Sequence, residues 1–297
     1  MNELATSLLE HGRELLVHKS HSYASDLSSV ADAIGCHVKI VDFGNTWLRD
    51  EFIRTTEAVL RVKAAVFDRE RWHRNSLRRY RASWGRLKLH EAIGIVGGHT
   101  LGEPVDKDDY PDEFKEIDFS MEGGNMIVLS KVVLVGAHSI ELYAHLKDRS
   151  FVDDFCRVFG TKRQVHVVPQ LLYHLDLFIL PISNDAVFVP DGSVLTSEMK
   201  TSLDASLHGA GLSVFQIDGI VKDGCGAPVG NYFSGLCGAN DGAPFLVLPS
   251  FGARHDRKVS RQIWSRCNHA ISIYFIGRAD ANRRQFKLGA GVRCGCI

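Results

Sequence analysis

Four short segments of this 297-residue chain carry side chains able to do polar chemistry. Asn45-Thr46-Trp47-Leu48-Arg49-Asp50 places a carboxylate in a loop after an apolar run. Met121-Glu122-Gly123-Gly124-Asn125 sets an acid beside two glycines, which allow close backbone approach to a ligand. His174-Leu175-Asp176 lies inside the apolar run LLYHLDLFILPI, where an extended backbone would turn both polar groups to one face. Gly289-Ala290-Gly291-Val292-Arg293-Cys294 leaves room around a thiol. Each segment also has an ordinary reading: a surface ion pair at Arg49, a turn at Gly123-Gly124, a hydrogen-bonded core histidine, and incidental thiols at Cys294 and Cys296.

Together they supply a thiol, an imidazole and several carboxylates. Carboxylates hold a planar guanidinium through bidentate, charge-assisted hydrogen bonds. A thiolate can attack the guanidinium carbon, and a nearby cation favours the thiolate form. His174 can protonate the departing nitrogen and then activate water. The neighbours separate Cys294 from Cys296, because Cys296 adjoins Ile297 and its carboxylate, and a negative charge disfavours the thiolate.

The elements that must position these groups alternate along the chain. Helical spacing of Leu4, Leu8, Leu15 and Leu16 among acidic residues predicts an amphipathic helix over 2–17, and a second helix is expected over 23–34. Strands are expected at His37–Phe43, Ala58–Ala65, Met126–Ser130, Val132–Val135, Gln164–Val168, Leu175–Pro181, Ala186–Val189, Ser213–Ile217, Phe245–Leu248 and Ile271–Ile276. Helices are expected over 68–90, 140–158, 197–208 and 256–268, with a Gly-rich stretch running to 242. The recurring unit is a strand pair plus a helix, which argues an α/β or α+β fold. No clear linker divides the chain, so one domain over 1–297 is expected.

Composition narrows the function classes. There are 35 basic and 35 acidic residues and a formal net charge of zero, so no general field draws nucleic acid or an anionic membrane. The basic stretch 69–88 is followed by an acidic loop at 103–118, which partly neutralises it. No segment reads as a signal peptide or a membrane span, and the cytoplasm is the expected compartment. The seven cysteines are irregularly spaced and form no CxxC pair, which argues against a zinc knuckle and for reduced thiols. No P-loop, EF-hand or dinucleotide fingerprint is present, and neither cofactor nor metal is expected.

In this order, the segments resemble the guanidino-group-modifying enzymes of the pentein superfamily: arginine deiminases, agmatine deiminases and amidinotransferases. NTWLRD is similar to the aromatic-x-Arg-Asp loop of agmatine deiminases, although Glu51-Phe52 stand where Gly-Pro is usual there. EGGN, HLD and GAGVRC resemble the shared EGG, His-x-Asp and terminal cysteine segments. GNYFSGL at 230–236 and FLVLPSFG at 245–252 resemble the Asn-containing strand and its successor. The resemblance implies a five-bladed propeller of ββαβ modules with a central cleft. It implies Cys294 as nucleophile, His174 as general acid/base, and Glu122 and Asp50 as guanidinium-binding carboxylates. Asp176, Asn125, Trp47, Arg49 and Asn231 fall in the substrate-binding set, Asp176 either touching substrate or orienting the histidine. The implied partner is a small guanidino compound such as arginine, or an arginine within a protein. The implied reaction is hydrolysis to a ureido product and ammonia. Amidino transfer is the alternative inside the superfamily, and a non-catalytic binding module the alternative outside catalysis. Calcium dependence is known among related peptidylarginine deiminases.

Overall fold

A computed structural model describes residues 8–11, 14–19, 24–41, 52–54, 59–62, 114–117, 123–137, 153, 156–157, 163–169, 174–192, 195, 197–225, 228–240, 243–267 and 271–277. Among them a single three-stranded pattern recurs five times. The first sheet holds β1 (Leu8–His11), β2 (Glu14–His18) and β3 (His37–Val41). The second holds β4 (Phe52–Arg54), β5 (Val59–Val62) and β6 (Phe114–Ile117), and the third β7 (Met126–Val128), β8 (Val132–Ala137) and β9 (Gln164–Pro169). The fourth holds β10 (Leu180–Ser183), β11 (Ala186–Pro190) and β12 (Ser213–Ile217). A two-stranded ribbon, β13 (Ile220–Lys222) with β14 (Pro228–Asn231), precedes the fifth sheet of β15 (Leu236–Asn240), β16 (Ala243–Pro249) and β17 (Ser272–Ile276).

In every three-stranded sheet the first two strands are antiparallel and the third runs parallel to the middle one. Antiparallel neighbours need only a tight turn, whereas a parallel third strand requires a crossover. Helices α1 (Ala24–Ser28) and α2 (Ala31–Ile34) fill the crossover of the first sheet, α3 (Ser197–Gly209) that of the fourth and α4 (Ala253–Arg266) that of the fifth. Helix α3 buries Met199, Leu203 and Leu207, a four-residue spacing that keeps one stripe on the sheet. Its end is set by Gly211 at φ 75°, with Gly211 N–H bonded to the His208 carbonyl and Leu212 N–H to that of Leu207. That is the left-handed glycine closure of a helix, which a Cβ would strain.

Two apolar cores result. The larger joins the third, fourth and fifth sheets with α3 and α4, through residues such as Leu134, Phe178, Phe188, Leu203, Phe233, Leu248 and Ile263. The smaller packs Leu15, Val17, Leu27 and Ile34 of the N-terminal unit against Leu236, Phe245, Val247 and Ile276 of the last sheet. The first module thus rests on the fifth.

Several sequence expectations are corrected. In the described part of the helix expected over 2–17, the chain forms β1 and β2 instead. Leu15, Leu16 and Val17 are consecutive and exposed by only 3%, 1% and 0%, so both faces of this segment are covered. A surface helix leaves one side wet, whereas a strand whose sheet is covered on both faces can bury both. The strand over Leu175–Pro181 is a 3-10 turn at Leu175–Leu177 followed by β10. The expected helix at 23–34 is two short helices, broken where Ser29 turns back on the Asp26 carbonyl. The Gly-rich stretch to 242 contains β13, β14 and β15, and the end of the acidic loop forms β6. Strand β4 has no counterpart among the expected strands; the remaining described strands and the helices at 197–208 and 256–268 lie within a few residues of expectation. The basic stretch 68–90 lies outside the described residues. No helix among them is long and apolar enough to cross a membrane.

Candidate functional site

His174 and Asp176 are embedded where the third and fourth sheets meet. His174 has extended backbone (φ −113°, ψ 151°) and leads directly into the 3-10 turn Leu175–Leu177. The turn closes through Leu177 N–H to the His174 carbonyl at 3.3 Å, then Phe178 N–H to Leu175 at 2.9 Å and Ile179 N–H to Leu175 at 2.8 Å. Both side chains are buried, His174 at 0% and Asp176 at 2% exposure, while Leu175, Leu177 and Phe178 around them are fully enclosed. Strand alternation does not set both side chains on one face here, because the backbone is not extended past His174. Burial in an apolar wall nonetheless brings the imidazole and the carboxylate into a medium where charges act more strongly than in water.

A second 3-10 turn, Gly123–Asn125, packs on this one and leads into β7, which also touches it. The Gly123–Asn125 turn and the His174–Asp176 segment, 49 residues apart between Asn125 and His174 in sequence, are therefore neighbours in space. Asn125 itself is half-buried.

Asn231 joins the same cluster from the end of β14. Its Nδ2 donates to the Leu177 carbonyl at 2.6 Å, and its Oδ1 accepts from Phe233 N–H at 2.9 Å. The next residue, Tyr232, turns elsewhere: its hydroxyl donates to Asp256 Oδ1 at 2.5 Å. Asp256, in the first turn of α4, also accepts from Ser250 Oγ at 2.7 Å and Phe251 N–H at 3.0 Å. Burial, reinforced by the Asp256 carboxylate, pushes the Tyr232 phenol well above its ordinary titration range. Two glycines, Gly230 and Gly235, flank the connection from β14 to β15, and a Cβ on either would meet close neighbours. A Cβ on Gly230 would lie 2.6 Å from the Phe251 ring, and one on Gly235 would lie 2.6 Å from Leu248 Cδ2 and 3.1 Å from the Val247 carbonyl oxygen.

Of the sequence-derived site residues, His174, Asp176, Asn125 and Asn231 are thus brought together. Cys294, Glu122, Asp50, Trp47 and Arg49 lie outside the described residues. Glu122 directly precedes the Gly123–Asn125 turn. Sequence reading missed Tyr232, Ser250 and Asp256. The available signal was an acid near the start of a helix, four residues after the loop glycine Gly252, but it does not say which hydroxyls it binds. Among the described residues no three His, Cys, Asp or Glu side chains gather as a metal site.

No family model matches the sequence, and no curated protein matches it by sequence. Solved structures do match. Agmatine deiminase of C. jejuni is 16% identical over 87% of this chain and 74% of its own, with a TM-score of 0.50. A cysteine-to-serine variant of that enzyme with substrate bound is 15% identical over 92% of this chain and 78% of its own, also at 0.50. An amidinotransferase of Microseira wollei is 10% identical over 85% of this chain and 76% of its own, at 0.46. The repeated antiparallel-then-parallel sheets, with the likeness to agmatine deiminase over most of both chains, identify this α/β chain as having the pentein fold.

Proposed function

We propose that the chain is a hydrolase acting on a guanidino group, releasing ammonia from arginine or an arginine derivative and leaving a ureido product. The observation that carries this reading is the meeting of the two turns at Gly123–Asn125 and His174–Leu177 in a fold shared with a deiminase. In the proposed reaction Asp50 and Glu122 hold the guanidinium, with Asp176, Asn125, Trp47 and Arg49 around the substrate. The Cys294 thiolate attacks the guanidinium carbon and forms a C–S bond. The C–N bond to the leaving nitrogen breaks as His174 delivers a proton, so ammonia departs and a thiouronium remains on the sulfur. Water then attacks the same carbon, His174 takes its proton, and the thiolate leaves with its electron pair. No redox partner or cofactor enters this balance.

The proposed architecture is a single catalytic domain over 1–297, arranged as a five-bladed propeller and working in the cytoplasm. Five repeats of one sheet pattern and the packing of the first module on the last support the propeller. The pairing of acids with an imidazole and a thiol favours a small cationic guanidino substrate over a nucleic-acid or membrane partner.

The test incubates the protein with arginine, agmatine and arginine-containing peptides. Ammonia together with a ureido product is expected from at least one of them. Amidino transfer would instead give turnover only when an acceptor amine is added. A binding module would give none, and co-sedimentation with RNA that weakens steeply with salt would replace the hydrolase reading.

A further inference from the structure

We infer that Asn231 is a positioning residue, locked from behind by the Tyr232–Asp256 pair, whose task is to hold the turn that carries His174 and Asp176. The inference rests on the reading of His174 as the acid/base group.

The geometry begins with a fully buried amide. Asn231 has 0% exposure, and both ends of its side chain are engaged: Nδ2 with the Leu177 carbonyl, Oδ1 with Phe233 N–H. A peptide N–H needs an acceptor and a carbonyl needs a donor, so these two partners also dictate which way the amide faces. The Leu177 peptide is then clamped on both sides. Its N–H is spent on the His174 carbonyl, closing the turn, and its own carbonyl is held by Asn231. Asp176 lies inside the turn, between the bonded His174 carbonyl and Leu177. The backbone from His174 to Leu177 therefore has little freedom to rotate, and the imidazole and carboxylate inherit that restriction.

The clamp is itself anchored. Successive residues at a strand end project to opposite sides, and here Asn231 goes toward the His174 turn while Tyr232 goes toward α4. Tyr232 is 1% exposed, and its hydroxyl ends on Asp256, which is 5% exposed and fixed by Ser250 and Phe251 N–H. Its ring stands edge-on to Phe251 at 4.9 Å and to Phe275 at 6.2 Å. The β14 end is pinned at two adjacent residues in two directions. Movement of Asn231 away from Leu177 would have to break the Asp256 contact or bend the hairpin at Gly230, where the Phe251 ring is already in close approach. Asn231 is fully buried, and both its Nδ2 and its Oδ1 are on backbone groups rather than facing solvent.

The experiment compares the full-length protein with Asn231→Ala, Asn231→Ser and Tyr232→Phe, using two readouts. The first is kcat and KM on whichever guanidino compound the unaltered protein hydrolyses. The second is the ring ¹⁵N resonance of His174 without substrate, assigned by its loss in His174→Gln. For Asn231→Ala, kcat is expected to fall about 100-fold with KM within about 3-fold, as for a misplaced catalytic group, and the His174 resonance to move. Tyr232→Phe is expected to move the resonance in the same direction by less, with kcat falling about 3- to 10-fold. A KM raised 10-fold or more at unchanged kcat, with the His174 resonance unmoved, would assign Asn231 to the substrate and overturn the inference. If the unaltered protein hydrolyses no guanidino compound, the hydrolase reading fails, and the resonance alone decides the clamp: moved upholds it, unmoved overturns it. Should Asn231→Ala not fold, Asn231→Ser and Tyr232→Phe are read by the same two criteria.

Discussion

Replacing Tyr232 by Phe removes one oxygen from a site whose packing otherwise survives. The ring keeps its edge-on contacts with Phe251 and Phe275, and Asp256 keeps Ser250 and Phe251 N–H. What disappears is a buried hydrogen bond from a phenol to a carboxylate at 2.5 Å. Bonds to charged groups contribute about 1.5–3 kcal/mol net, so a loss of about 2 kcal/mol is expected at neutral pH. The pH dependence supplies a second, independent signature. The folded phenol is raised above its ordinary value by burial and by Asp256. Below about pH 10 both folded and unfolded chains keep the proton and the contribution is whole. Above it the unfolded chain loses the proton while the folded chain retains it. Stability then falls as pH rises, by about 1.4 kcal/mol per pH unit for this one group. The variant lacks that slope, so its deficit of about 2 kcal/mol should close near pH 11.5. Denaturant unfolding of both proteins at intervals from pH 7 to 11.5 measures it. A deficit under about 0.5 kcal/mol at pH 7, the scale of an ordinary surface change, or a deficit that stays constant through pH 11, would refute the reasoning.

Three further outcomes are expected. Gly235→Ala should lower stability by about 1–3 kcal/mol, read as a fall in melting temperature, because its Cβ would meet Leu248 and the Val247 carbonyl; an unchanged melting temperature would mean that the connection before β15 is not closely packed there. Cys294→Ser should abolish both turnover and labelling by a haloacetamidine, whereas Cys296→Ser should keep most of each, and the reverse pattern would move the nucleophile to Cys296. Chelation should leave hydrolysis unchanged, since the proposed chemistry runs on a thiol and an imidazole; loss restored by calcium would require a metal in the mechanism.

The residues that name the chemistry are legible because they are local: a histidine and an aspartate inside an apolar run, an acid beside two glycines, a thiol after a Gly-rich approach. Their local conformation is less so. LYHLDLFILPI has the composition of a strand, yet its first part closes into a 3-10 turn, since the Leu177 carbonyl is taken by an asparagine 54 residues away in sequence. The Asp256 network was invisible for a similar reason. Its donors come from Tyr232, Ser250 and Phe251, and a first-turn acid in α4 reads equally well as a solvated charge favouring the helix dipole.

The N-terminal segment shows the same division most plainly. Leucines and acids spaced near a helical period describe a helix when the chain is read alone. In the folded protein β2 lies between β1 and β3, Leu15 and Val17 pack against the last sheet, and Leu16 is buried as well. Sequence alone determined the alternation of elements and nominated the candidate reactive groups, because both depend on residue type and short spacing. Tertiary structure decided which runs are strands, which turns meet and which polar groups are locked together. Those outcomes depend on hydrogen-bond partners and apolar cover from chain segments tens to hundreds of residues away, which no local pattern encodes.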